Sequence, residues 1–205
     1  LDKDVRLPGV IPAEEVFEDL LGGIRSGCKR AILSGGEATL HPDYFRIIRY
    51  AKDLGYKRIQ TISNGRMFAY SDFLDKAVEA GLQEITFSMH GHNAELHDLQ
   101  TRTPGSFQQA LTGLLNALGR GDLIVNIDIV LNRHNFKLID SIMDFYIKLG
   151  VHEFDLLHIT PCGDAWNNRE ELFYSPPEGM PYLRRAFEYG RREDLFVWTN
   201  RFPPE

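Results

Sequence analysis

Short apolar runs alternate with amphipathic helical segments along the chain, and this alternation limits the fold more than any other feature of the sequence. The apolar runs lie at 30–34, 58–63, 84–89, 123–131 and 153–159, with a sixth at 195–200. Between most of them lies a segment of helical periodicity, closed in two cases by a glycine, Gly55 or Gly81. Parallel neighbours in a sheet need such crossover connections. The sequence therefore predicts an α/β fold with a parallel sheet and outer helices.

The carboxyl ends of these runs carry the polar and glycine-rich chemistry of the chain. The segments SGGE, SNG, SMHGH, LNRHN and TPCGD stand at or directly after the ends of the first five runs. In parallel α/β folds, ligands bind at the carboxyl ends of the strands. We therefore expect the functional site at this one rim of the sheet.

Composition excludes several classes of protein. The chain has 205 residues and a formal net charge of -6 without a block of Lys and Arg, so a nucleic-acid partner is not indicated. No run approaches the ~20 apolar residues of a membrane span, and no secretory signal pattern opens the chain. The two cysteines, Cys28 and Cys162, lie far apart and suit a reducing compartment. We expect one cytoplasmic domain over residues 1–205.

The two ends of the sequence indicate that it is part of a longer chain. The segment LDKDVRLPGVIPAEEVF begins without an initiating Met, a helix cap or a strand, and VWTNRFPPE stops directly after a strand-like run. We therefore expect additional sequence on each side.

The turn after the first strand combines two glycines with an acid. Gly35 and Gly36 lack Cβ atoms, so the backbone can bend sharply there and a ligand can approach it closely. Glu37 adds a carboxylate, and an acid beside backbone carbonyls suits a cation such as an ammonium group rather than a phosphate. A plain tight turn is the alternative interpretation.

Three motifs together resemble those of the radical S-adenosylmethionine superfamily. SGGEATLHP resembles the GGEP strand end of that family, ISNG at 62–65 is similar to its TNG segment, and FSMHG at 87–91 resembles its SLDG or SLHG strand. The resemblance covers nearly all of the chain and keeps the strand order. One departure is Ala38, where the family usually has proline. The resemblance implies a partial (β/α) barrel and S-adenosylmethionine as a cofactor.

The resemblance also implies which residues contact that cofactor. The glycine turn with Glu37 would take the methionine ammonium, and polar strand-end side chains would lie beside its carboxylate and the ribose. Asn126 would reach the cofactor from the inner side of its strand, and Ile159 would border the adenine. The implied contacts are Gly35, Gly36, Glu37, Ser63, Asn64, Ser88, Asn126 and Ile159.

The family ligates a 4Fe-4S cluster with three cysteines spaced CxxxCxxC, upstream of GGE. This chain contains no such triplet, so no metal ligands are assigned here and we expect them upstream of Leu1. The implied reaction is reductive cleavage of the cofactor by an external electron donor. It yields a 5′-deoxyadenosyl radical that takes a hydrogen atom from an unknown substrate. Without the cluster segment, we expect the chain to be inactive.

Two other functional classes compete with this interpretation. The segment from His90 to Asp98 also holds His92 and His97, and His-x-His at a strand end is a metal arrangement of barrel hydrolases. No second cluster of His and Asp stands at the other strand ends, which weakens that hypothesis. The third class is a cluster-less adenosine-binding module. The upstream sequence would distinguish the two, because it would contain three cysteines in the enzyme and none in the module.

Three further residues at the predicted rim are possible substrate contacts. His90 follows the third strand, Arg133 the fourth and Cys162 the fifth. Solvated loop charge and a loop cysteine without a role are the ordinary explanations for the last two.

Overall fold

The structure is a computed structural model that describes residues 9–200. Its strands are β1 (Arg30–Leu33), β2 (Arg58–Ser63), β3 (Glu84–Ser88), β4 (Ile124–Leu131), β5 (Glu153–His158) and β6 (Phe196–Asn200). The longer helices are α1 (Ala13–Arg25), α2 (Tyr44–Asp53), α3 (Ser71–Ala80), α4 (Ala94–Thr101), α5 (Ser106–Arg120), α6 (Ile139–Lys148) and α9 (Pro176–Arg192). Two short helices, α7 (Gly163–Asn167) and α8 (Arg169–Leu172), lie between β5 and α9.

The strands form one six-stranded sheet in the order β1-β2-β3-β4-β5-β6. Parallel pairing is found between β1 and β2, β2 and β3, β4 and β5, and β5 and β6. The predicted parallel α/β sheet is therefore confirmed, and each predicted strand is found within about a residue of its expected bounds, as assignments of element ends ordinarily vary.

Two compact units divide the described chain. The first unit contains 9–87 and Gln109–Val125, and the second contains Ser88–Gln108 and 126–200. The first unit thus holds β1, β2 and the helices around them, and the second holds β5, β6 and the loops that follow β3, β4 and β5. The prediction of a single domain is not tested by this division.

The side chains of β2 alternate between the two faces of the sheet in the first unit. Thr61 is fully buried, and its Oγ1 lies 2.7 Å from the Tyr44 hydroxyl of α2. Because successive side chains of a strand point to opposite faces, Ile59 and Ser63 share the helix-covered face with Thr61, and Gln60 lies on the other. The core of this unit is therefore built between the sheet and α2, and the strand ends are left to form the rim.

The segment after β5 is more regular than its sequence suggests. The prolines and glycines of 161–181 predict a long irregular loop, with a helix starting at Tyr182. Instead, α9 begins at Pro176, where Ser175 and Glu178 form a capping box. Prolines fit the first turn of a helix because its N–H groups have no partner within the helix. The helix continues through Pro181 to Arg192.

Over residues 9–200, the structure contains no helix that is both long and apolar enough to cross a membrane.

Candidate functional site

The turn after β1 leaves open space beside its backbone. Gly35 has a φ of 137°, a conformation that other residues rarely adopt. A Cβ atom added at Gly35 or Gly36 would meet no heavy atom within 4 Å. The space next to this turn is thus free of the described protein atoms, and a ligand can lie against the peptide groups.

Glu37 joins this turn to the end of β2. Its Oε1 accepts hydrogen bonds from Ser63 Oγ at 2.8 Å and from Thr39 Oγ1 at 2.6 Å, together with the Thr39 N–H at 3.2 Å. Its Oε2 accepts the Asn64 N–H at 2.8 Å. All of these contacts run to the protein itself. The carboxylate therefore acts as a brace between two strand ends, which leaves the backbone of the turn as the surface that faces open space.

The end of β2 is shaped by a short hydrogen-bonded turn. Ser63 is 2% exposed, and its Oγ accepts the Gly65 N–H at 3.0 Å while it donates to Glu37. Asn64 is exposed; its Oδ1 accepts the Arg66 N–H at 3.0 Å, so the amide nitrogen is the part of that side chain left for a ligand. The structure thus brings Glu37, Ser63 and Asn64 together.

Gly65 has a second reason to be glycine. Its φ is 79°, and a Cβ atom there would lie 2.5 Å from Cδ1 of Phe87. Phe87 is itself fully buried against Phe68, with ring centroids 5.9 Å apart. The SNG segment therefore packs directly on the core of the first unit, which fixes the direction in which Asn64 leaves the strand.

In the second unit, Ser88 and His90 stand on either side of a buried residue. Met89 is fully buried, and its N–H donates to the Asp128 carbonyl at 3.0 Å. Ser88 and His90 are both half-buried. Strand alternation places the Ser88 side chain on the face opposite Met89. The strand ends there, and the His90 ring lies against the edge of β4 and the ring of His97, with ring centroids 5.9 Å apart.

The His90 ring is held by backbone groups. The Val130 N–H donates to Nδ1 of His90 at 3.3 Å, and the His90 N–H donates to Nδ1 of His97 at 3.2 Å. Burial, and then the neighbouring His97, lower the pKa of His90 to about 4. Burial also lowers the pKa of His97, against the opposing charge of Asp98. Both rings are consequently neutral near pH 7.

Three amide side chains fix the loop that contains His90. The His90 carbonyl accepts from Gln100 Nε2 at 2.7 Å and from Asn135 Nδ2 at 3.1 Å. Gln100 Oε1 in turn accepts from the side-chain amides of Asn132 and Asn135. Sequence reasoning missed Gln100, which lies on α4 away from any strand end. The paired asparagines of LNRHN were the only signal of this network.

The histidines do not form a metal site. No group of three His, Cys, Asp or Glu side chains in the described part of the chain is arranged to hold a metal ion. His97 is 2% exposed, and its Nδ1 is already used by the His90 N–H. Asp98, within α4, instead accepts the N–H groups of Gly105 and Phe107 at the start of α5. The metal-dependent hydrolase is therefore not supported.

Asn126 and Ile159 both belong to the second unit. Ile127 and Ile129 are fully buried, and Asn126 occupies the opposite face of β4 with 4% exposure. Ile159 directly follows β5, is 8% exposed, and donates its N–H to the Leu131 carbonyl at 3.3 Å. Their contacts with a cofactor remain predictions.

Arg133 and Cys162 sit on the loops after β4 and β5. The Arg133 guanidinium donates to the Phe173 carbonyl from Nε at 2.9 Å and from Nη2 at 2.5 Å, so it anchors the segment before α9. Cys162 is exposed with a free thiol and precedes α7. The guanidinium is engaged by backbone, and a substrate role for either residue remains a prediction.

The cysteines of the chain do not fit a family-type iron–sulfur cluster. The sequence holds two cysteines, Cys28 and Cys162, and both are exposed and free. Cys28 belongs to the first unit and Cys162 to the second. Three closely spaced thiolates are needed for the cluster implied by the motifs, and this chain does not contain them.

Comparison with known proteins decides the family. The family model described as the radical SAM superfamily matches residues 3–146. The chain belongs to the radical SAM superfamily. The resemblance read from SGGE, SNG and SMHG is thereby confirmed, and the cluster-less adenosine-binding module is not supported.

Curated relatives of this radical SAM chain include named enzymes. A probable GTP 3',8-cyclase of Sulfurisphaera tokodaii is 31% identical over 78% of this chain and 50% of its own length. An AdoMet-dependent heme synthase of Methanosarcina barkeri is 32% identical over 64% of this chain and 37% of its own length. The chain therefore spans half or less of the length of these relatives.

Solved structures with the same fold include two proteins with bound ligands. Streptococcus suis SuiB bound to precursor peptide SuiA has a TM-score of 0.75, with 13% identity over 94% of this chain and 43% of SuiB. Native anSMEcpe with bound AdoMet has a TM-score of 0.71, with 14% identity over 94% of this chain and 56% of its own. These likenesses confirm the fold class, an α/β partial barrel.

Proposed function

We propose that this chain is the cofactor-binding core of a radical S-adenosylmethionine enzyme that removes a hydrogen atom from its substrate. The observation that carries the proposal is the open turn at Gly35 and Gly36, held by Glu37 against Ser63 and Asn64. The match to the superfamily over residues 3–146 supports it.

The residues of the first unit fit the methionine end of the cofactor. The carbonyls of the glycine turn accept hydrogen bonds, which suits an ammonium group that can only donate. The exposed Asn64 amide donates, which suits a carboxylate or a ribose hydroxyl. Glu37 holds the turn in position, and its carboxylate adds negative charge near the ammonium.

The residues of the second unit fit the nucleoside end. Ser88 offers a half-buried hydroxyl, Asn126 a buried amide, and Ile159 an apolar surface at the end of β5. An adenine ring needs an apolar contact and a ribose needs polar ones, so this mixture matches a nucleoside. The predicted contacts of His90, Arg133 and Cys162 with the substrate belong to the same proposal.

When bound to a reduced cluster, S-adenosylmethionine supplies the 5′-deoxyadenosyl radical that abstracts hydrogen. The role of this chain is to bind the cofactor, orient it and exclude water from it. The cluster ligands must come from sequence outside residues 1–205, because the chain has too few cysteines. An external electron donor and a cytoplasmic location complete the proposal.

The test uses the full-length protein, purified without oxygen and reconstituted with iron and sulfide. We expect a brown protein that converts S-adenosylmethionine to methionine and 5′-deoxyadenosine when a strong reductant is added. A matched variant with the upstream cysteines replaced by alanine controls for adventitious iron. A full-length protein that neither carries a cluster nor cleaves the cofactor would contradict the proposal.

A further inference from the structure

His90 has one hydrogen-bonding group that the protein does not use. Its backbone N–H donates to His97, its carbonyl accepts from Gln100 and Asn135, and its Nδ1 accepts from the Val130 N–H. No residue in the described structure bonds Nε2. The residue is half-buried, and its unbonded Nε2 is not fully enclosed by protein, so this atom is available to a ligand.

The Val130 contact also decides which ring nitrogen carries the proton. Nδ1 must present a lone pair to accept the Val130 N–H. A neutral imidazole carries its single proton on the other nitrogen, so Nε2 is a donor. The low pKa of the ring, which follows from its burial and from His97, keeps it in this neutral form through physiological pH.

A second donor without a described partner lies two residues earlier. No described residue hydrogen-bonds the Ser88 hydroxyl, which is also half-buried. Met89 between them is fully buried. Nε2 of His90 and the Ser88 hydroxyl are thus two hydrogen-bonding groups near one strand end that the described protein leaves for an acceptor-rich ligand.

We propose that His90 donates a hydrogen bond from Nε2 to an oxygen of S-adenosylmethionine, next to Ser88. This inference rests on the proposed function, which places the cofactor at Ser88. It assigns to the cofactor a residue that the sequence associates with the substrate. The acceptor is an oxygen of the ribose or of the methionine carboxylate, since these are the cofactor's oxygens.

Calorimetry on the full-length, cluster-loaded protein tests this contact. His90→Leu removes the donor, and we expect it to weaken S-adenosylmethionine binding by about three- to tenfold, as the loss of one neutral hydrogen bond does. His90→Gln keeps an N–H donor of similar reach and is expected to recover most of that affinity. His92→Leu is the matched control and is expected to bind normally, because no contact of His92 with the cofactor is proposed.

Two cofactor fragments identify the acceptor. 5′-Methylthioadenosine keeps the ribose and lacks the methionine carboxylate. If the acceptor is a ribose hydroxyl, His90→Leu weakens binding of both compounds by a similar factor. If it is the carboxylate, only S-adenosylmethionine binding weakens.

Nitrogen NMR of the wild-type ring provides a readout that does not depend on any variant folding. We expect Nδ1 to be unprotonated and Nε2 protonated between about pH 6 and 8, and the Nε2 proton to move downfield when S-adenosylmethionine is added. An unchanged Nε2 proton, or equal affinity of wild type and His90→Leu, would overturn the proposal and return His90 to the substrate. Failure of the wild-type protein to bind S-adenosylmethionine would instead contradict the proposed function.

Discussion

The Glu37 carboxylate accepts a hydrogen bond from Ser63 Oγ at 2.8 Å, across the ends of two neighbouring parallel strands. The same carboxylate accepts the Asn64 N–H, so one acidic side chain orders both parts of the predicted cofactor site in the first unit. The sequence suggests that Glu37 binds a cation. In the structure, its carboxylate first supports the backbone of the turn that faces the ligand.

Glu37→Gln tests this double role. An amide in place of the carboxylate presents N–H groups to donors such as Asn64 N–H, so at least one hydrogen bond is lost. We expect the free energy of unfolding to fall by about 1–3 kcal/mol, as the loss of hydrogen bonds to a charged group does. The affinity for S-adenosylmethionine should fall as well, because the ammonium loses a nearby negative charge.

Urea unfolding and calorimetry on the cluster-loaded, full-length protein measure the two effects. Thr39→Val is the matched control, since it removes one donor to the carboxylate and leaves its charge. If Glu37→Gln lowers stability while cofactor affinity stays unchanged, Glu37 is a structural brace alone. If neither quantity changes, the hydrogen bonds described at Glu37 do not exist in solution.

Gly65→Ala is expected to destabilise the protein through both strain and a steric clash. The residue has a φ of 79°, and the new Cβ would lie 2.5 Å from the Phe87 ring, which is packed against Phe68. Gly105 is a matched control, because its φ is 83° but a Cβ there meets no atom within 4 Å. Gly105→Ala should cost about 1–2 kcal/mol from backbone strain.

The difference between the two variants isolates the packing term at Gly65. We expect Gly65→Ala to cost about 1–3 kcal/mol more than Gly105→Ala, the usual cost of overpacking a core. Thermal or urea unfolding of both variants gives the comparison. Equal losses in the two variants would mean that the SNG turn does not rest on Phe87.

Strand positions and the site differ in how well sequence predicts them. The run at 58–63 is a strand over Arg58–Ser63 because apolar periodicity and bounding turns are local signals. The bracing of Glu37 by Ser63 joins residues from two strands, and the Gln100 network joins α4 to the loop after β4. Such contacts depend on tertiary packing. The strand-end motifs therefore predict where the site lies, but they do not predict its hydrogen bonds.

Stability should rise with pH between about 4 and 6.5 through His90. Its pKa is lowered to about 4 in the folded protein, whereas an unfolded histidine titrates near 6.5. Between these values the unfolded chain binds a proton that the folded chain does not, so the free energy of unfolding increases with pH. The contribution is fully present above about pH 6.5 and is lost as pH falls towards 4.

Urea unfolding at several pH values, with wild type and His90→Gln, measures this dependence. The single residue adds a slope of at most about 1.4 kcal/mol per pH unit over that range. His90→Gln does not titrate and should reduce the slope relative to wild type. Identical slopes for the two proteins would show that His90 titrates normally in the folded state.

Residues 1–205 alone are expected to remain colourless after anaerobic reconstitution with iron and sulfide. A 4Fe-4S cluster of this family needs three closely spaced cysteine thiolates. The chain offers Cys28 and Cys162, which are exposed and belong to different compact units. Without a cluster, S-adenosylmethionine would be held only by its contacts with protein, such as those at the open turn of Gly35 and Gly36.

Absorbance in the visible range and iron content relative to protein measure cluster formation, and chromatography of the products measures cofactor cleavage. The double variant Cys28→Ser with Cys162→Ser is the matched control, and it should behave as residues 1–205 do in both assays. The full-length protein should differ from both by its brown colour and by release of 5′-deoxyadenosine. Stoichiometric iron and cofactor cleavage by residues 1–205, lost in the double variant, would show that these two cysteines do ligate a cluster. The three-cysteine requirement would then be wrong for this protein.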